Sequence, residues 1–177
     1  MSPKPHAEES IWRPIFMKPD LVGYPGAAAL HHVQVGDQSG YVDLILLPRT
    51  GPKKLVLVEA KRARDRRSSA DVLGQLLKYY AHALDLGDSG VELLQEAAQR
   101  DRRKGRLLSF KELTHGVTPR GGQLDPRKLD LLVALDYAAP KIGPRLVKTA
   151  TVLRELHGIS VGVLVVESRS RVTWIYR

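Results

Sequence analysis

Residues 55–63 read Leu-Val-Leu-Val-Glu-Ala-Lys-Arg-Ala, and this stretch decides the fold. Four apolar residues in a row, with no polar alternate, are the pattern of a strand covered on both faces. Strands of that kind belong to sheets with helices packed above and below. Side chains alternate across a strand, so Leu55, Leu57, Glu59 and Lys61 share one face and Val56, Val58 and Ala60 the other. A carboxylate and an ammonium therefore leave the strand's end in the same direction.

Working outward, AALHHVQV (28–35) and YVDLILL (41–47) read as two further strands, joined by the turn-rich GDQSG (36–40) as a hairpin. Asp43 interrupts the second of them, and a carboxylate among apolar neighbours is costly unless donors or a cation compensate it. If the strands pair, Asp43 comes beside Glu59. Upstream, Glu8 to Met17 fits a short helix with Ile11, Trp12 and Ile15 on one face, against which Pro14 counts. Downstream, the charged loop KRARDRRSS (61–69) leads into a helix over 70–84, capped by Ser68 or Ser69. Its apolar stripe is Val72, Leu73, Leu76, Leu77 and Tyr80. KLDLLVALDY (128–137), ISVGVLVVES (159–168) and VTWIYR (172–177) supply three more strands. GPRLVKTATVLRELHG (143–158) forms a helix that Gly158 ends. Residues 87–125, with a short helix in VELLQEAAQ and the basic run QRDRRKGR (99–106), read as an insertion. The expectation is one α/β domain over residues 1–177: a mixed β-sheet flanked by helices, with a basic insertion.

Composition narrows the function. Hydrophobic residues make up 43% of the 177, enough for a packed core. No apolar run is long enough to span a bilayer, and the first ten residues have no apolar signal core, so no membrane role is expected. The chain has no cysteine, which excludes disulfides and thiolate metal sites and fits a cytoplasmic location. Lys and Arg total 28 against 19 Asp and Glu, a net charge of +9. Such an excess favours a polyanionic partner through counterion release, although it also serves solubility.

Two carboxylates with a lysine beside them suit a hard divalent cation such as magnesium, which polarises a phosphate and acidifies bound water. Lys61 would hold the attacking water and offset negative charge. Taken alone, Glu59 and Lys61 also suit a surface ion pair of little energetic weight. The wider pattern resembles the PD-(D/E)XK nuclease superfamily. GYVDLILL, a loop, LVLVEAK, then a helix bearing GQLLKYY carry the resemblance. It implies a restriction-endonuclease-like core with Asp43 as the metal-binding aspartate and Glu59-Ala60-Lys61 as the (D/E)XK element. It also implies that the backbone carbonyl of Ala60 is a further ligand to Mg2+ or Mn2+. Gln75 and Tyr79 match the QxxxY element of the RecB-type branch. Val42 stands where a proline is usual. Members of this branch often carry a glutamate on a first helix; Glu8 is the candidate, assisting through water or a second ion, and Glu9 its rival. KPDLVG (18–23) is similar to the loop after that helix in NucS-type endonucleases. The resemblance covers residues 8–85 and implies DNA as substrate; a repair or defence complex is the setting of the alternative, non-cleaving module.

Arg62, Arg64, Arg66 and Arg67 follow the candidate site and could grip the backbone beside the scissile bond. Arg100, Arg102, Arg103, Lys104 and Arg106 form a second basic cluster with the same alternative of a solvated face. His31 and His32 are expected on opposite strand faces and so not in one metal site. Asp130 and Asp136 share a face and serve as supporting groups or as strand-edge residues. NucS-type enzymes carry a separate DNA-binding domain for which this chain has no room. A homodimer or a larger complex would then supply binding surface. The alternative function is a catalytically silent nucleic-acid-binding or protein-interaction module on the same fold.

Overall fold

The computed structural model describes residues 8–35, 40–48, 54–63, 68–84, 96–97, 99–100, 126–137 and 142–177. The elements are α1 (Glu9–Met17), β1 (Ala28–Gln34), β2 (Tyr41–Leu47), β3 (Leu55–Lys61) and α2 (Ser68–Leu84). They are followed by β4 (Leu129–Leu135), α3 (Ile142–His157), β5 (Ser160–Ser168) and β6 (Arg171–Tyr176). The six strands form one mixed sheet whose spatial order, β1 to β6, copies the chain order. β1–β2, β2–β3 and β5–β6 pair antiparallel, whereas β3–β4 and β4–β5 pair parallel. The parallel pairs sit where helices α2 and α3 make the crossovers, as parallel neighbours require.

Both faces are covered. Leu55 and Leu57 pack with Val72, Leu76 and Tyr79 of α2 and Leu146 and Ala150 of α3. Val56, Val58 and Ala60 pack on the other face with Ile11, Trp12 and Ile15 of α1. The alternation expected of LVLVEAK is thus the division between two core layers. Pro14 is accommodated within α1, buried, with Lys18 N–H donating to its carbonyl at 3.0 Å where the helix ends. Gly158 closes α3 in the left-handed region (φ +66°), its N–H donating to Arg154 O at 3.1 Å. Because α2 is already helical at Ser68, its cap position precedes both serines and falls outside the described residues. Among the described residues no helix is long and apolar enough to cross a membrane.

One irregularity positions the site. Along β1, Ala28 and Leu30 lie on the α2 side of the sheet, and so do Val33 and Val35, so the alternation changes phase at His32. Along β2, Ile45 and Leu47 lie on that side, Leu44 and Leu46 on the other, and Val42 returns to the first, so the phase changes at Asp43. The register pairs His31 with Leu44 and Val33 with Val42, which sets His32 opposite Asp43. His32 has φ +49°, the one positive value outside glycine among the described residues. A left-handed residue cannot continue a pleat, so both strands slip phase together at this step. It also corrects the expectation for the two histidines. Both rings pack on Trp12, at 5.4 and 5.7 Å between centroids, and stand 5.8 Å apart. The turned backbone of His32 is the reason they do not point to opposite faces.

Candidate active site

β2 and β3 pair from Leu46–Val56 to Leu44–Val58, and the next step along this register brings Asp43 to Glu59. There the ladder gives way. The Ala60 N–H, which a regular strand would offer to a backbone carbonyl of β2, donates to Asp43 Oδ2 at 2.8 Å. Asp43 thus has a donor that offsets the burial of its charge. The phase slip leaves its side chain room to do this.

Glu59 is 3% exposed, the buried charged residue among those described. Its Oε1 lies 3.6 Å from Lys61 Nζ, and its Oε2 is buried with no hydrogen-bond partner. Burial, then the Asp43 carboxylate, push the Glu59 carboxyl up to about 8, with Glu8 adding to the rise and Lys61 opposing it. Lys61 feels the reverse balance. Burial would lower it, but Glu59, Glu8 and Asp43 outweigh burial and hold the ammonium above its usual value. Lys61 is therefore a fixed positive charge, whereas Glu59 stores a proton.

Glu8 occupies the cap position of α1 but makes no side-chain cap; its Oε1 accepts from Lys61 Nζ at 3.2 Å instead. Glu9 turns away and pairs with Arg13 at 3.0 Å. Of the two glutamates, Glu8 is the one that reaches Lys61. On the α2 side, Gln75 Oε1 is buried without a hydrogen-bond partner. Tyr79, four residues on, donates its hydroxyl to Tyr41 O at 3.1 Å. Burial, with Glu59 and Asp43 nearby, pushes the Tyr79 phenol up to about 12, so it stays a neutral donor. Its hydroxyl braces β2.

The two aspartates of the KLDLLVALDY stretch, read from sequence as supporting groups or strand-edge residues, take different partners. Asp136 follows the residue that pairs with Lys61, Leu135, and its Oδ1 accepts from the Ala63 N–H at 2.8 Å. It fixes the chain just beyond Lys61. Asp130, at the far end of β4, instead holds Lys54 at 3.0 Å. An acid closing an apolar strand parallel to the site strand was the available signal, and it did not separate the two aspartates. Arg100 is bonded to the carbonyls of His31 and His32. Arg62 is exposed beside the site, while Arg64, Arg66, Arg67, Arg102, Arg103, Lys104 and Arg106 lie outside the described residues, as does most of 87–125.

Asp43, Glu59, Lys61 and Glu8 are thus brought together, with Gln75 and Tyr79 on the adjoining helix. The chemistry of this set fits a hard divalent cation: two carboxylates, one with a buried oxygen lacking a partner. Among the described residues no three His, Asp or Glu side chains form a ready ligand cluster. No protein-family model, curated protein or solved structure matches this chain.

Proposed function

We propose that this chain is a metal-dependent nuclease with a restriction-endonuclease-like core of the PD-(D/E)XK type, acting on DNA. The observation that carries the reading is the buried Glu59 carboxylate, set beside Asp43 and Lys61 with one oxygen unpartnered. A buried acid so placed is destabilising in itself, and perturbed groups of this kind gather at functional sites. Asp43 and Glu59 would hold Mg2+ or Mn2+, with the Ala60 carbonyl as the further ligand that the resemblance implies. When bound, the ion supplies Lewis acidity toward a phosphate oxygen and toward water.

The chain's own residues supply the rest. Asp43 is oriented by the Ala60 N–H before any substrate arrives. Lys61, held charged by Glu59 and Glu8, orients the attacking water and offsets negative charge that grows on the phosphoryl oxygens. The water oxygen would form a bond to phosphorus and lose a proton to solvent, while the bond to the 3′ oxygen breaks and that oxygen departs with the electron pair and takes up a proton from solvent. Tyr79 braces Tyr41 so that the strand carrying Asp43 does not shift.

The test is cleavage of plasmid and linear DNA with Mg2+, comparing wild type with Asp43→Ala and Lys61→Ala. Each substitution is expected to lower kcat by about 100-fold or more, the scale of losing one electrostatic contributor. Equal activity in all three defeats the reading. The second reading, a silent binding module, is favoured by the lack of a three-acid cluster among the described residues. It predicts salt-sensitive DNA binding that survives both substitutions, with no cleavage in wild type.

A further inference from the structure

In a regular strand, successive carbonyls point to opposite sides, so no single side chain can take both. At the outer edge of β1 one does. Arg100 Nη1 donates to the His32 carbonyl at 3.1 Å and Nη2 to that of His31. The left-handed His32 brings the two acceptors together, and one planar guanidinium spans both. The same residue stands opposite Asp43, at the step where both strands change phase. Among the described strands β1 lies at the edge of the sheet, with β2 as its neighbour.

We propose that Arg100 is a positioning residue: its fork locks the turned His32 backbone, and through the paired phase slip this holds the Asp43 carboxylate on the Ala60 N–H. The first residue of the basic cluster then serves the candidate centre by fixing its geometry rather than by gripping phosphate. Lysine cannot replace it, because one ammonium does not reproduce the fork. Glycine at position 32 can bypass it, because glycine adopts positive φ without side-chain strain.

The inference rests on the nuclease reading for its role in catalysis, but its first test does not need cleavage. Amide hydrogen exchange is measured at Ala60 in wild type, Arg100→Lys, Arg100→Ala and the double variant Arg100→Ala/His32→Gly. Amides of Leu131 to Val133 in β4 serve as the internal reference for global stability. Both single substitutions are expected to speed exchange at Ala60 by about tenfold, the scale of one lost hydrogen bond, with the reference unchanged. The double variant is expected to restore protection. In cleavage assays the single variants lose kcat with KM little changed, and the double variant recovers it. Wild-type protection of Ala60 in Arg100→Lys, or a raised KM with unchanged kcat, overturns the proposal in favour of a simple phosphate contact. If wild type does not cleave but the exchange pattern holds, the nuclease reading falls and the latch stands.

Discussion

Glu59 is placed against its own preference. Its carboxyl is buried, next to another carboxylate, and relieved by one ammonium. Because the folded value is raised above the ordinary one, the native state holds a proton that the unfolded chain has already lost. The stability this contributes is full below the usual carboxylate range and is lost as pH rises through about 8. Between those limits the slope is at most about 1.4 kcal/mol per pH unit. Metal-free wild type is therefore expected to unfold at lower urea at pH 8 than at pH 6. Glu59→Gln, which cannot ionise, should show no such difference from this group and be the more stable protein at pH 8. Greater stability of wild type at pH 8 would mean that Glu59 is ionised in the fold.

At this scale the sequence was legible where chemistry follows from pleat. Leu55, Leu57 and Glu59 on one face, with Val56, Val58 and Ala60 on the other, follow from period two alone. His32 was not legible. No glycine or asparagine marks the left-handed position, so alternation assigned its ring to the wrong side. The contact from Arg100, 68 residues along the chain, was equally hidden.

Strands and helices were readable because long apolar runs and helical stripes leave few alternatives; all six strands and the helices around residues 9–17, 70–84 and 143–157 are where the patterns put them. How the ends of those elements are fastened was less readable, since that depends on contacts between elements. The brace from α2 to β2 is an example. The Tyr79 hydroxyl meets Tyr41 O, and beside it Gly40 has φ +94° with Tyr79 Oη 3.3 Å from where a Cβ would stand. Gly40→Ala therefore combines backbone strain with crowding of the brace and should destabilise by about 2 kcal/mol, measured by chemical denaturation. Tyr79→Phe removes only the donor and should cost about 1 kcal/mol. Equal effects from the two would show that the strain at Gly40 is not felt.

Across the whole molecule the net charge of +9 sets how a polyanion is met. Binding of DNA in the presence of chelator is expected to weaken linearly on a logarithmic salt axis. Arg62, exposed at the end of the site strand, directly follows Lys61 in the chain. Arg62→Ala should reduce the salt slope by about 0.9, the value of one phosphate contact. An unchanged slope would remove Arg62 from the binding surface. Fluorescence anisotropy at several ionic strengths measures both.

The sheet's spatial order repeats its chain order, so it can grow by accretion along one side as the polypeptide is synthesised. Every acid of the candidate centre lies within the first sixty residues, yet Glu59 takes Val133 of β4 as its parallel neighbour. The strand that neighbours this acid is therefore made late, after more than half of the chain has been synthesised.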